Sequence, residues 1–189
     1  MELFEETGAY IRGHFRLTSG LHSGEYLQCA KVLAFPAYAE RLGRDLAGRV
    51  RTLAGEAVDV VVSPAMGGII IGHEVARALG AKSIFTERDG TTNEMALRRG
   101  FSIDPGTRAV VIEDVITTGG STKEVVELVR EQGGRVMGAG SIIDRSHGAA
   151  EVGTPRVWLE KLDAVAYEAA DCPLCREGVP IVKPGSRRT

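Results

Sequence analysis

From Val58 onward the chain repeats one pattern: a short apolar run, a loop of small residues, and apolar positions at helical spacing. The run Val58 to Val62 (VDVVV) is β-branched and continuously apolar after Asp59, as in a strand buried on both faces of a parallel sheet, and it stops at Ser63 and Pro64. Ile69, Ile70, His73, Ala76 and Leu79 then predict a helix that Gly80 ends as its C-cap. Lys82 to Thr86 predicts a second strand and Ala109 to Glu113 a third. A helix from about Thr122 to Gln132 follows, burying Val125, Val126, Leu128 and Val129. Ser121 to Glu124 (STKE) spells a capping box at its start, and Gly133 and Gly134 close it. Arg135 to Asp144 predicts a further strand, with glycines where backbones approach closely. Upstream, the spacing predicts a helix near Pro36 to Leu53, preceded by an irregular stretch from Phe15 to Val32. Downstream, Arg156 to Glu160 reads as a short strand before a polar tail.

Strands alternating with helices define an α/β fold with a central, mostly parallel sheet flanked by helices. At about 150 residues per domain, the 189 residues form a single domain. Its core is expected over about 36–148, and the chain ends, about 1–35 and 149–189, are expected to fold together as a small hood.

Composition narrows the function. The 23 Lys and Arg against 25 Asp and Glu leave a net charge of −2, which lacks the basic footprint of a nucleic-acid binder. No apolar run approaches the roughly 20 residues of a membrane helix, and the acidic start MELFEETGAY has no signal-peptide pattern. The expectation is a cytoplasmic protein with reduced thiols and no nucleic-acid or membrane partner. Glycine, 24 of 189 residues, is nearly twice its usual share of about 7%. Parts of this chain therefore need unusual backbone.

In open α/β sheets ligands bind beyond the carboxyl ends of the strands. There the segment Val110 to Ser121 (VVIEDVITTGGS) carries two adjacent carboxylates, then small hydroxylated and glycine residues running into a helix N-terminus. Unpaired amides and the helix dipole at that point suit a phosphate, and Thr117, Thr118 and Ser121 add hydroxyl donors. Glu113 and Asp114 would repel phosphate and suit the vicinal hydroxyls of a sugar, so a phosphorylated ribose satisfies both halves. The motifs G-x-x-x-x-G-K-[ST] and G-x-G-x-x-G opening a helix after a strand are both missing from the sequence. Nucleotide hydrolysis and dinucleotide redox chemistry lose their usual signatures with them.

The segment Val111 to Ser121 resembles the phosphoribosyl pyrophosphate (PRPP) signature of the type I phosphoribosyltransferases. The resemblance extends over nearly the whole chain: Leu17 to Gly20 (LTSG), His22 to Tyr26 (HSGEY), Ser63 to Gly68 (SPAMGG), Glu87 and Arg88, and Ile143 to Ser146 (IDRS). The tail from Cys172 to Cys175 (CPLC) through Arg187 also resembles a bacterial branch whose base is orotate. The resemblance implies the type I phosphoribosyltransferase fold, a homodimer, and Mg2+ held mainly through PRPP rather than by a protein metal site. It implies transfer of the 5-phosphoribosyl group from PRPP to orotate in pyrimidine biosynthesis. The alternatives are another base, purine or uracil, or a PRPP-sensing regulator without turnover.

The same resemblance assigns residues. Glu113 and Asp114 hold the ribose hydroxyls, and Val115, Ile116 and the run Thr117, Thr118, Gly119, Gly120 and Ser121 line the 5-phosphate. Ala65, Met66, Gly67 and Gly68 form the pyrophosphate loop. Arg88, with Asp114, is the catalytic candidate, stabilising charge on the leaving group. Arg145 pairs with the orotate carboxylate, for which a planar fork is suited, and Thr117 contacts the base through its backbone.

Three positions depart from the family pattern. The segment from Arg88 to Gly100 (RDGTTNEMALRRG) has neither the lysines nor the histidine of better-known members, so either Arg98 or Arg99 supplies the charge or the loop contributes less. Thr18 stands where lysine is common, and Gly67 where a basic residue is. Cys172 and Cys175 form a lone C-x-x-C. A zinc site needs four ligands and would draw on Cys29 with His14 or His22; a redox pair and reduced packing thiols are the other readings, and the last is preferred. His73 and His147 are given no role.

Overall fold

The computed structural model describes residues 1–17, 20–162 and 165–183. The chain divides into two compact units, Leu33–Leu162 and the two chain ends, Met1–Val32 with Asp163–Thr189. In chain order the elements are α1 (Glu2–Glu6), β1 (Tyr10–Arg16), β2 (His22–Leu27), α2 (Cys29–Leu33), α3 (Pro36–Ala54), β3 (Val60–Pro64), α4 (Gly67–Leu79) and β4 (Lys82–Arg88). There follow β5 (Met95–Leu97), β6 (Arg108–Ile116), α5 (Gly120–Glu131), β7 (Arg135–Asp144), β8 (Arg156–Lys161), β9 (Ala166–Tyr167), a 3-10 turn and α6 (Pro173–Arg176).

The larger unit is a six-stranded sheet in the order β5-β4-β3-β6-β7-β8, parallel except for β5. Its central strands are buried on both faces, which is why they read as unbroken apolar runs rather than alternating ones. Val60, Val62, Ala109 and Val111 pack with Val125, Val126 and Val129 of α5. On the other face, Gly140 leaves room where Ile112 meets Leu46 and Val50 of α3. Burial of Ile71 and Val75 on α4 and of Leu46 and Val50 on α3 closes that side. The chain steps outward from β3 to β4 and in the opposite sense from β6 to β7, so β3 and β6 form the topological switch at which open sheets bind ligands.

Three expectations change. The larger unit begins at Leu33, close to the expected start, but runs to Leu162 rather than to about 148, because β8 pairs with β7 from Ala139↔Arg156 to Asp144↔Lys161 and belongs to the sheet. The stretch Phe15 to Val32 is not irregular: it contains β2 and most of α2. The segment after Arg88 returns as a hairpin strand, Arg88 pairing with Met95 and Thr86 with Leu97. The polar β2 (HSGEYL) carries no apolar run, and β5 (MAL), though apolar, is only three residues long, so neither shows the pattern used to find the others.

The unit of chain ends is a three-stranded antiparallel sheet, β1-β2-β9. β1 carries one extra residue: Arg12 pairs with Glu25 but Phe15 with Ser23, so Gly13 and His14 together oppose Gly24 in a β-bulge. The C-terminal segment joins through His22↔Tyr167, Ser23↔Ala166 and a parallel bridge between Phe15 and Val182. Of the sequence motifs, Thr18, Ser19 and the tail from Pro184 lie outside the described residues.

Candidate active site

Strand β6 delivers the acid pair. Glu113 and Asp114 lie near its carboxyl end, half-buried, with only local donors: Glu113 Oε1 accepts the Asp114 N–H at 3.0 Å and Asp114 Oδ1 the Val115 N–H at 2.8 Å. Desolvation, and then the neighbouring Asp114 charge, push Glu113 up to about 9. Desolvation raises Asp114 as well, against hydrogen bonds that oppose the shift. Two carboxylates kept from water without a cation or donor side chain are at high energy when ionised. A ligand bearing hydroxyl donors or a cation relieves that.

The loop between β6 and α5 forms the second part. Gly119 is the N-cap residue of α5, with φ +83°. A side chain there is excluded twice, by the left-handed backbone and because its Cβ would come within 2.9 Å of Val152 Cγ1. No side chain caps the helix, so the predicted capping box is not formed. Glu124 is instead held by Arg88, and the first amides of α5 are left without intrahelical partners. Thr117, Thr118 and Gly120 are exposed beside them, around a cleft of about 70 Å³ that Glu113, Ile116 and Ser121 also line.

The third part is the turn from β3 into α4. Its Ala65–Met66 peptide is cis, and Met66 is exposed. A Cβ on Gly67 would lie 2.6 Å from Asp114 Oδ1, and one on Gly68 2.9 Å from the Ile112 carbonyl and 3.2 Å from Glu113 Oε1. The glycines therefore let this turn sit directly against the acid pair. A basic side chain at position 67 would displace the carboxylate or itself.

Arg88 is exposed at the end of β4. Its guanidinium forks onto Glu124 at 2.9 and 3.1 Å, reaches Ser121 Oγ at 3.3 Å, and donates to the Asn93 carbonyl at 2.6 Å. Although Pro64 pairs with Thr86 one strand away, the side chain of Arg88 is directed to the first turn of α5 and not to the Pro64–Gly68 turn. Arg145 follows β7, and its N–H donates to the Ile116 carbonyl at 2.8 Å, which sets it beside the end of β6. Arg99 is engaged with Glu87 at 2.8 and 2.9 Å, whereas Arg98 is exposed and makes no side-chain hydrogen bond or ion pair among the described residues.

One group escaped the sequence reading. Asp144, fully buried, holds the Ser146 N–H at 2.8 Å and hydroxyl at 2.6 Å, and its other oxygen lies 3.1 Å from Arg156 Nη1. Arg156 also donates to Ser146 Oγ and the Ala150 carbonyl and stacks over Trp158. Burial raises Asp144, but Ser146 and the Arg156 charge outweigh it and hold it below the usual range. This network braces the turn that carries Arg145. A lone arginine in a predicted strand gives no sign of it.

The geometry thus gathers an amide cradle, an acid pair and a glycine turn at one switch point. The phosphoribosyl transferase domain description matches residues 30–172, and the chain belongs to that family. Its relatives include orotate phosphoribosyltransferases. That of Pelotomaculum thermopropionicum is 55% identical over 186 residues, covering 98% of this chain and 95% of the relative; that of Thermotoga petrophila is 51% identical over 186 residues, 98% and 97%. Among solved structures, orotate phosphoribosyltransferase from Aeropyrum pernix aligns with a TM-score of 0.69 at 25% identity, covering 85% of this chain and 92% of that one. An adenine phosphoribosyltransferase from Thermoanaerobacter pseudethanolicus, at 17% identity and a TM-score of 0.61 over 73% of this chain and 88% of its own, shares the fold. No helix of the described residues is long and apolar enough to cross a membrane.

Proposed function

We infer that this protein transfers the 5-phosphoribosyl group from PRPP to orotate, releasing pyrophosphate and forming orotidine 5-phosphate for pyrimidine (UMP) biosynthesis. The observation that carries the chemistry is the contact of Gly67 and Gly68 with Asp114 and Glu113, beside an uncapped helix N-terminus. It supports a reading in which pyrophosphate, ribose hydroxyls and a 5-phosphate bind side by side.

In this reading the α5 amides with Thr117, Thr118 and Ser121 hold the 5-phosphate, and the ionised Glu113 and Asp114 accept the 2- and 3-hydroxyls. Their raised affinity for protons in the free protein means that substrate binding releases protons, so affinity for PRPP rises with pH. The bond from ribose to pyrophosphate weakens ahead of attack by the base, and catalysis consists of positioning and of stabilising the separating charges. Arg88 serves the leaving group after exchanging Glu124 for it, and Arg145 orients orotate through its carboxylate.

Mg2+ would be held mainly through PRPP oxygens and water rather than by a protein site, in keeping with its reluctance to shed its water shell, and the negative charge of the ionised Glu113 and Asp114 would favour it nearby. When bound, it supplies charge neutralisation of the pyrophosphate. We read the protein as a cytoplasmic homodimer that binds neither nucleic acid nor membrane; light scattering tests the dimer, with twice the chain mass of 20.2 kDa expected.

Pyrophosphate release from PRPP with Mg2+, measured across orotate, uracil, hypoxanthine, xanthine and adenine, tests the reaction. Turnover with orotate alone is expected. Activity only with purines or uracil would reassign the base, and none with any base would favour a regulator. Asp114→Asn should lower kcat/KM for PRPP about 100-fold; near-normal turnover would remove the acids from the mechanism.

A further inference from the structure

The unit of chain ends contains a cluster that the reaction does not use. His14, His22, Cys172 and Cys175 place one ligand atom each within 4.8 Å of one another. His14 Nε2 lies 3.0 Å from His22 Nδ1, 3.5 Å from Cys172 Sγ and 3.7 Å from Cys175 Sγ, and Cys175 Sγ lies 3.3 Å from His22 Nδ1. Around a tetrahedral zinc with Zn–N of about 2.0–2.1 Å and Zn–S of about 2.3 Å, the edges are about 3.3 Å between nitrogens and about 3.6 Å between nitrogen and sulfur. The four measured separations fall about those lengths. We propose that these four residues are a structural zinc site that ties the C-terminal segment to the β1-β2 hairpin.

The local structure is arranged for it. His14 sits in the bulge of β1, and Arg16, two residues on, pairs with His22, so both imidazoles lie on one side of the hairpin. Their rings meet edge to face at 5.0 Å. His14 Nδ1 lies 2.8 Å from the Val179 carbonyl; donating its proton there leaves Nε2 with its lone pair toward the thiols, the outer-shell arrangement common to metal-bound histidine. The turn of α6 brings Cys175 back beside Cys172. His14, His22 and Cys172 are buried and Cys175 is exposed, so the site has an entry side. Cys29 is not among the four, which corrects the expectation that it would complete the set.

Two thiolates and two imidazoles in a tetrahedral array select zinc over hard oxygen-seeking cations. The unit also needs a fastening. Its described core is short, with Phe4, Tyr10, Phe15, Leu27 and Val32 as the large buried apolar residues outside the cluster. Its C-terminal segment is held by two ladder pairs and one bridge. Small units of this kind rely on disulfides or metals.

The test uses the full, untagged chain purified from zinc-supplemented cells without chelator. Elemental analysis should give about one zinc per chain, and Cys172→Ser with Cys175→Ser about a tenth of that or less. Cobalt(II) exchanged into the wild type should show thiolate-to-metal charge transfer and the intense visible bands of tetrahedral cobalt. Because a variant at buried Cys172 risks misfolding, the wild type also serves alone: chelation should lower Tm by roughly 5 °C or more, restored by zinc. Zinc content near zero after reconstitution, an octahedral cobalt spectrum, a Cys172–Cys175 disulfide in place of metal, or a Tm indifferent to chelation would each overturn the site. Turnover with orotate is read separately, so failure here leaves the reaction standing.

Discussion

The two units use polar side chains in opposite ways. In the sheet unit, apolar burial supplies the stability, and the polar groups at the strand ends are held at a cost. Glu113 and Asp114 lie desolvated and mutually repelling at the end of a strand whose preceding residues are wholly buried. In the unit of chain ends the apolar core is slight, and polar His14, His22 and Cys172 are buried within it beside the exposed Cys175. Function is thus written as destabilising polarity in one place, and architecture as stabilising polarity in the other. Proteins commonly concentrate the cost of activity at the site itself.

The ion pair of Asp144 and Arg156 is where the contrast is most open to being broken, because it is structural polarity inside the apolar unit. The two charges touch at 3.1 Å without an aligned hydrogen bond and are almost wholly buried. Arg156→Met should therefore leave an uncompensated buried carboxylate and cost about 3 kcal/mol in urea unfolding. With Asp144 lowered in the folded state, the network's contribution is present at neutral pH and fades as pH falls below the ordinary Asp value through the depressed one. A loss under about 1 kcal/mol would show that packing alone holds this turn.

The acid pair offers the second test, with the sign reversed. Glu113 carries a folded-state value of about 9 against an unfolded one near 4.3, so its ionisation makes ligand-free stability fall as pH rises through that window. Glu113→Gln should flatten this fall, raising Tm at pH 8 by roughly 4 °C while lowering turnover. A variant no more stable than the wild type at pH 8 would erase the distinction between costly and supporting polarity.

The smallest effect separates two neighbouring arginines. Arg99 is tied to Glu87 and lies over Phe85 at 5.7 Å, while Arg98 is exposed. Arg98→Ala should leave Tm within about 1 °C and lower kcat about threefold to tenfold, with Arg99→Ala doing the reverse. Equal kinetics for both variants would mean that the hairpin adds no charge to the reaction.

Legibility followed the same division. The β-branched runs at Val60–Val62 and Ala109–Ile112 announce strands because burial on both faces leaves them no polar position. The loop Thr117–Ser121 was readable as a turn into a helix N-terminus because that turn is built from local backbone. The capping box misled, since the S-x-x-E pattern holds no information that Arg88 would take Glu124 from 36 residues away. Asp144 with Arg156, and the two histidines with the C-x-x-C, depend on strand pairings that bring distant residues together. One-dimensional spacing records neither.

Glu124 occupies both arms of the Arg88 fork with the planar geometry that a phosphate oxygen pair would take. If Arg88 serves the leaving group as proposed, Glu124 holds its place in the ligand-free protein and gives the guanidinium an anionic partner. In evolutionary terms the contact ties the two positions to each other. Losing Glu124 alone leaves Arg88 with neutral partners only, the Asn93 carbonyl and the Ser121 hydroxyl, and losing Arg88 alone leaves a carboxylate beside the uncapped N-terminus of α5. Among descendants of this sequence, changes at positions 88 and 124 should therefore arrive together.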